Sequence, residues 1–125
     1  MSRNKTIMIV DDNQDILNIV KAVLEGHGCE VISATNGMDF LSRLEHQKPD
    51  LIILDIMLPD IDGLEILKRL KDNVDTASIP VIMLTILEQC EDIDRAYELG
   101  CTYYLTKPFT SRQLLNAIGP VLENQ

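Results

Sequence analysis

Three carboxylates, a hydroxyl and an amine stand at matching places along this 125-residue chain. Asp11 and Asp12 follow the apolar run Ile7 to Val10, Asp55 follows Leu51 to Leu54, Thr85 follows Val81 to Leu84, and Lys107 comes just after Tyr103 to Leu105. Asp and Thr are common loop starters and N-caps, so any one of them alone asks for no chemistry. Five polar residues behind four apolar runs are more than turns require. If the runs are neighbouring strands, these side chains converge on one crevice. Two like charges about 4 Å apart repel by roughly 4 kcal/mol at an effective dielectric near 20. Three carboxylates in one pocket therefore call for a cation, and oxygen donors without His or Cys select Mg2+ or Mn2+ over zinc. A divalent ion, a lysine and a threonine hydroxyl together neutralise the equatorial oxygens of a phosphoryl group. A carboxylate beside them is a nucleophile that can accept it.

The elements that must position these residues are legible from periodicity. The four runs are short, continuous and apolar, as strands buried on both faces of a parallel sheet should be. A fifth, Glu30 to Ala34, is less apolar and belongs nearer an edge. Ile16, Leu17, Val20, Val23 and Leu24 fall at helical spacing, with Gly26 or Gly28 as the stop. A shorter helix fills Gly37 to Glu45. Leu64, Leu67 and Leu70 mark a helix entered through Gly63, and Ile93, Ala96, Tyr97 and Leu99 one stopped by Gly100. The last opens on Thr110-Ser-Arg-Gln113, a capping box, and runs through Leu114, Leu115 and Ile118. Strict alternation of strand and helix means right-handed βαβ units and helices on both faces of the sheet. In such sheets ligands bind beyond the carboxyl ends of the strands, where all five residues stand.

Composition removes other classes. The chain is 46% hydrophobic and 25% charged, a globular balance, and its longest aliphatic runs are four residues, far short of the roughly 20 a membrane span needs. Arg3 and Lys5 precede an apolar stretch that meets Asp11 and Asp12 at once, so no signal peptide is expected and the predicted location is cytoplasmic. The net charge of −9, and a basic patch limited to Lys68, Arg69 and Lys71 on a solvated helix side, disfavour direct nucleic-acid binding. Cys29, Cys90 and Cys101 form no C-x-x-C pair and read as idle thiols, and His27 and His46 as surface residues. Asp11-Asp12-Asn13-Gln14-Asp15 would repel a bare phosphate, which removes an FMN-type cradle. There is no G-x-G-x-x-G and no G-x-x-x-x-G-K-[ST].

Over essentially its whole length the sequence resembles the receiver domain of two-component response regulators. The matching segments, in order, are Ile9-Val-Asp-Asp12, Leu54-Asp-Ile-Met-Leu-Pro59, Asp62-Gly63, Ile79-Pro-Val-Ile-Met-Leu-Thr85 and Tyr104-Leu-Thr-Lys-Pro-Phe109. The resemblance implies one receiver domain over residues 1–125. Its fold would be a flavodoxin-like, doubly wound five-stranded parallel sheet of order 2-1-3-4-5 with five helices in three layers. It implies that Asp55 accepts a phosphoryl group from a histidine kinase or a histidine phosphotransfer protein. Asp12, Asp55 and the backbone carbonyl of Met57 would bind Mg2+ directly, and Asp11 through water. Lys107 would pair with the phosphoryl oxygens, and Thr85 would move toward them and draw Tyr104 inward. The Lys107-Pro108 bond would be cis, as is usual in the family. Phosphorylation adds about one negative charge and strong acceptor oxygens, so a shift of Thr85 and an aromatic neighbour is a physically reasonable coupling to a downstream protein or effector domain.

Two residues depart from the family pattern. Ile86 stands where a small residue is usual and should crowd the approach of a phosphodonor. Gly119-Pro120 interrupts the last helix, which is expected to end or kink near Ile118, leaving the oligomeric state open. Two competing readings are a phosphorylation-independent interaction domain of the same fold and an aspartyl-nucleophile phosphatase. The latter usually carries D-x-D-x-T after its first strand, where this chain has Asp-Asp-Asn. A signalling domain, with at most Mg-dependent self-phosphorylation and autodephosphorylation, is therefore expected over an enzyme. Glu123-Asn124-Gln125 either ends a protein or leads into a linker.

Overall fold

The computed structural model describes residues 4–86 and 89–123. Its elements alternate strictly: β1 (Thr6–Val10), α1 (Gln14–Glu25), β2 (Glu30–Ala34), α2 (Gly37–Leu44), β3 (Leu51–Leu54), α3 (Gly63–Asp72), β4 (Val81–Thr85), α4 (Cys90–Glu98), β5 (Tyr103–Thr106) and α5 (Ser111–Glu123). The strands form one parallel sheet in the order β2-β1-β3-β4-β5, the predicted flavodoxin-like topology. Every residue of β3 and β4 is buried, which is why these strands carry no polar alternation. The mixed strand β2 lies at one edge, and β5 at the other.

Side-chain parity sorts the core into two halves. Ile7, Ile9, Leu51, Ile53, Ile82 and Leu84 pack on one face beneath α1 and α5, through Leu17, Val20, Leu114 and Ile118. Met8, Val10, Ile52, Leu54, Met83 and Tyr104 pack on the other beneath α2, α3 and α4, through Phe40, Ile66, Leu67 and Ala96. The result is three layers. No helix among the described residues is long and apolar enough to cross a membrane.

Local signals set the helix boundaries. Asn13, Asn36 and Asp62 cap α1, α2 and α3 through side-chain oxygens. The capping box of α5 is reciprocal: Thr110 N–H donates to Gln113 Oε1 at 2.8 Å, and Gln113 N–H to Thr110 Oγ1 at 3.0 Å. Of the two glycines at the end of α1, Gly28 is the one with left-handed backbone, at φ 84°. Arg3, Asn124 and Gln125, which entered the reading of the termini, lie outside the described residues.

Two expectations are corrected. The last helix does not end near Ile118 but continues through Gly119 and Pro120 to Glu123. Pro120 is only three residues from the helix end, and Pro120 and Asn116, whose carbonyl loses its helical donor, are both exposed. Water can hydrate that carbonyl, so the full interior cost of proline is not felt. Lys71 is not on a solvated side either. It is half-buried, and its ammonium donates to the carbonyls of Ala77 at 3.1 Å and Ile79 at 2.9 Å, closing the loop between α3 and β4. Burial pushes its pKa down. Lys68, Arg69, His27 and His46 are exposed as read. All three cysteines are free thiols; Cys101 is buried, and burial pushes its pKa up to about 11, which makes it inert.

Gly119 offers a direct test of how much strain α5 tolerates. A Cβ placed there meets nothing within 4 Å. Gly119→Ala should therefore stabilise the fold by about 0.5–1 kcal/mol through backbone entropy alone, read as a higher urea midpoint at unchanged slope.

Candidate functional site

The carboxyl ends of β1, β3, β4 and β5 form one edge of the sheet, and the ladder of backbone hydrogen bonds runs past the strand ends to place each functional residue. Asp11 N–H donates to Ala34 O at 3.1 Å, Asp55 N–H to Val10 O at 3.2 Å, and Lys107 N–H to Thr85 O at 2.8 Å. Each residue after a strand is thus spliced to the neighbouring strand. The five residues singled out by sequence are brought to one edge because the sheet is parallel, so every strand ends there.

Asp11, Asp55 and Thr85 are buried, and Asp12 is exposed at the mouth. Carboxylate oxygens of Asp11, Asp12 and Asp55 lie within 4.8 Å of one another. The Lys107 ammonium enters this group, 2.6 Å from Asp11 Oδ2 and 3.0 Å from Asp55 Oδ2. The second oxygens of Asp11 and Asp55 are also engaged: Asp11 Oδ1 accepts from Asn13 N–H at 2.9 Å, and Asp55 Oδ1 from Met57 N–H at 3.0 Å. Burial pushes the Asp11 carboxyl above the ordinary carboxylate value, against the pull of Lys107 and the Asn13 amide, and the charge of Asp55 adds to the rise. Burial opposes the charge on Lys107, but Asp11 and Asp55 outweigh it and hold its pKa above the usual lysine value. Its ammonium therefore contributes stability at neutral pH that is lost only as the pH rises through that elevated value.

The donor set fits a hard divalent cation. Three carboxylates with no imidazole or thiolate converge within reach of one ion, and a single ammonium cannot balance them. Met57 lies in the loop after β3 and is half exposed, with its amide turned toward Asp55. Ile86 stands directly after β4 at the edge of the pocket, 59% exposed. The Lys107-Pro108 bond is cis.

Thr85 pairs with Thr106 and Met83 with Tyr104 across β4 and β5, so Thr85 and Tyr104 share a sheet face, one step apart. Tyr104 is buried in the core under α2, α3 and α4. Burial first, then Asp92 and Asp55, push its pKa up to about 12. From α4, the Tyr97 phenol oxygen accepts the Tyr104 backbone N–H at 3.1 Å.

Two residues gain a role that sequence reasoning did not assign. Gly63, read only as a helix start, packs directly on the Asp55 backbone. Its N–H donates to Ile56 O at 2.8 Å, and a Cβ would collide with the Asp55 carbonyl oxygen and come within 2.6 Å of Ile56 Cα. Asp60, not singled out at all, bonds to the start of α2. No local pattern marks a carboxylate whose partners are more than twenty residues away. Gly63→Ala should cost about 1–3 kcal/mol through overpacking and displace Asp55. Urea denaturation would read the first effect and the Asp55 amide resonance the second.

Comparison with known proteins bears on the sequence and the fold. Residues 7–119 match the response regulator receiver domain family. The chain is 39% identical over 119 residues to the alkaline phosphatase synthesis transcriptional regulatory protein PhoP of Bacillus subtilis, covering 95% of this chain and 49% of that protein. It is 36% identical over 118 residues to the polar-differentiation response regulator DivK of Brucella anthropi, covering 94% of this chain and 96% of that protein. The chain thus spans about half of the first relative and nearly all of the second. Among solved structures, a CheY-like response regulator receiver domain protein from Methanospirillum hungatei superposes with a TM-score of 0.91 at 32% identity, over 98% of this chain and 96% of that one. In sequence and in fold, this chain belongs to the response regulator receiver domain family.

Proposed function

We propose that residues 1–125 form a single phosphorylation-activated receiver domain in which Asp55 takes a phosphoryl group from a phosphohistidine donor. The observation that carries this reading is the buried Asp55 carboxylate, held between two further aspartates and the Lys107 ammonium at 3.0 Å. A carboxylate oxygen of Asp55 attacks phosphorus as the bond from phosphorus to the donor imidazole nitrogen breaks. The products are an acyl phosphate on Asp55 and a free histidine. Asp11, Asp12 and Asp55, with the Met57 carbonyl, would hold Mg2+ or Mn2+. When bound, the ion supplies charge neutralisation at the transferring oxygens. Lys107 leaves its partner oxygen on Asp55 and follows the phosphoryl oxygens. Thr85 donates its hydroxyl to the same group, and Tyr104, on the same sheet face, moves into the space released. That shift reaches the surface of α4 and β5, where a downstream protein or effector domain would read it.

The implied partners are a histidine kinase or histidine phosphotransfer protein and a downstream protein, with no direct nucleic-acid contact by this domain. The implied compartment is the cytoplasm. The domain is a signalling switch, and its own chemistry is limited to self-phosphorylation from small donors and autodephosphorylation. Both a stand-alone regulator, as with the DivK match, and a longer transcriptional regulator, as with PhoP, are compatible with the lengths matched.

Intact-mass measurement after incubation with acetyl phosphate and Mg2+ tests the chemistry. One phosphoryl group is expected on the wild type and none on Asp55→Asn or without metal; an adduct on Asp55→Asn would sink the assignment. Ile86→Ala should speed the reaction with the small donor, and an unchanged rate would show that Ile86 does not crowd the approach. The cation is tested without a donor. At ten times its dissociation constant, Mg2+ should stabilise the fold by about 1.4 kcal/mol, raising the thermal midpoint by about 4–7 °C. Asp12→Asn should blunt the rise.

A further inference from the structure

The loop from Met57 to Asp62 carries the residues next to Asp55, yet it packs no strand or helix of its own. Its ends are held by hydrogen bonds, and Leu58 and Ile61 pack against the core. Met57 N–H donates to Asp55 Oδ1, and Gly63 N–H to Ile56 O, while Asp62 caps α3 through Leu64 N–H at 2.8 Å. From its middle, Asp60 reaches a different helix. Asp60 Oδ1 accepts the N–H of Gly37 at 2.8 Å and of Ile61 at 2.9 Å, and Oδ2 accepts the N–H of Met38 at 2.9 Å. One carboxylate thus gathers three backbone donors from two segments. These bonds pull its pKa down against desolvation, so it stays ionised at neutral pH.

Helix stability alone does not account for this arrangement. The start of α2 already has a local cap, with Asn36 Oδ1 accepting from Asp39 N–H at 2.8 Å. Met38 is exposed, so water can satisfy its amide, whereas Gly37 is buried and its N–H takes the acceptor that Asp60 provides. What Asp60 adds is a link between α2 and the loop. Packing tightens the same link: a Cβ on Gly37 would lie 3.2 Å from Asp60 Oδ1, 3.2 Å from Ile61 Cβ and 2.9 Å from Ile66 Cδ1. The first residue of α2 is therefore seated directly against the loop.

We propose that Asp60 is a positioning residue for the phosphoacceptor pocket, pinning the Met57–Asp62 loop to the N-terminus of α2 so that the Met57 backbone is held against Asp55. This rests on the reading of the pocket as a magnesium-dependent phosphoacceptor site. Asp60 touches neither the ion nor the phosphoryl group; it acts through the loop.

The test compares wild type, Asp60→Ala, Asp60→Asn and Gly37→Ala at a temperature well below every thermal midpoint. Backbone amide exchange at Met57 and Leu58 is read by NMR in metal-free protein, and Mg2+ affinity by calorimetry without a donor. Asp60→Ala should speed exchange at Met57 while leaving Ile9 unchanged, and weaken Mg2+ binding about tenfold, the scale of losing an outer-shell partner of a metal site. Asp60→Asn keeps one acceptor oxygen and places an amide group against the Met38 N–H, so its loss should be smaller. Gly37→Ala presses on the pin from the α2 side and should move both readouts in the same direction with Asp60 intact. Should Asp60→Ala lower only the thermal midpoint, with exchange and Mg2+ affinity as in wild type, Asp60 is a helix cap and the proposal falls. A wild-type protein that binds no Mg2+ and takes no phosphoryl group would instead overturn the function itself, and the positioning role with it.

Discussion

The Lys107 ammonium lies between two buried carboxylates, 2.6 Å from Asp11 and 3.0 Å from Asp55, and the arrangement of the pocket depends on that contact. Two aspartates taken out of water at this separation would repel strongly. The lysine offsets the repulsion, but one positive charge cannot balance Asp11, Asp12 and Asp55 together. Burial adds a separate cost, pushing the Asp11 carboxyl up by more than Lys107 and the Asn13 amide pull it down. A pocket left short of positive charge favours a divalent cation, and a cation there in turn draws in phosphoryl oxygens. The same shortage that costs stability suits the site to the chemistry proposed for it, a common trade between stability and function.

Holding that group together requires a rigid frame around it. Strands β3 and β4 are buried along their whole length, and their side chains divide between two helical layers, so neither strand can slide or turn over. The ladder bonds from Asp11 to Ala34, from Asp55 to Val10 and from Lys107 to Thr85 then extend this rigidity one residue past the strands. Beyond them, the loop after Asp55 has no ladder to join. Gly63, with no room for a side chain against the Asp55 backbone, and Asp60, bonded to the start of α2, take over the task there. The edge strand β5 differs in kind: Tyr97 from α4 accepts the Tyr104 amide, so helix and strand are tied beside the sheet face that Tyr104 shares with Thr85.

Much of this was legible in the chain itself. Continuous apolar runs, Asn and Asp caps and the Thr110–Gln113 box report on bonds made within a few residues, and those bonds form as the local chemistry dictates. Pro120 and Lys71 were misread because a local rule was applied where distant context decides. Proline is costly in the interior of a helix, yet near an exposed helix end water satisfies the carbonyl it abandons. A lysine in a basic patch is usually solvated, yet Lys71 finds two loop carbonyls that only the folded α3–β4 connection brings near it.

What the sequence by itself determined is which residues stand at the site and where it had to be: five polar residues behind apolar strands, three of them carboxylates, at the one end that parallel strands share. Only the tertiary structure decided how those residues meet. That Lys107 bridges Asp11 and Asp55, that Gly63 rests on the Asp55 backbone, and that Asp60 binds amides of Gly37 and Met38 are pairings across tens of residues. The spacing along a chain carries no information about such distances until strand order and register are set, and these follow from how the whole core buries its apolar faces.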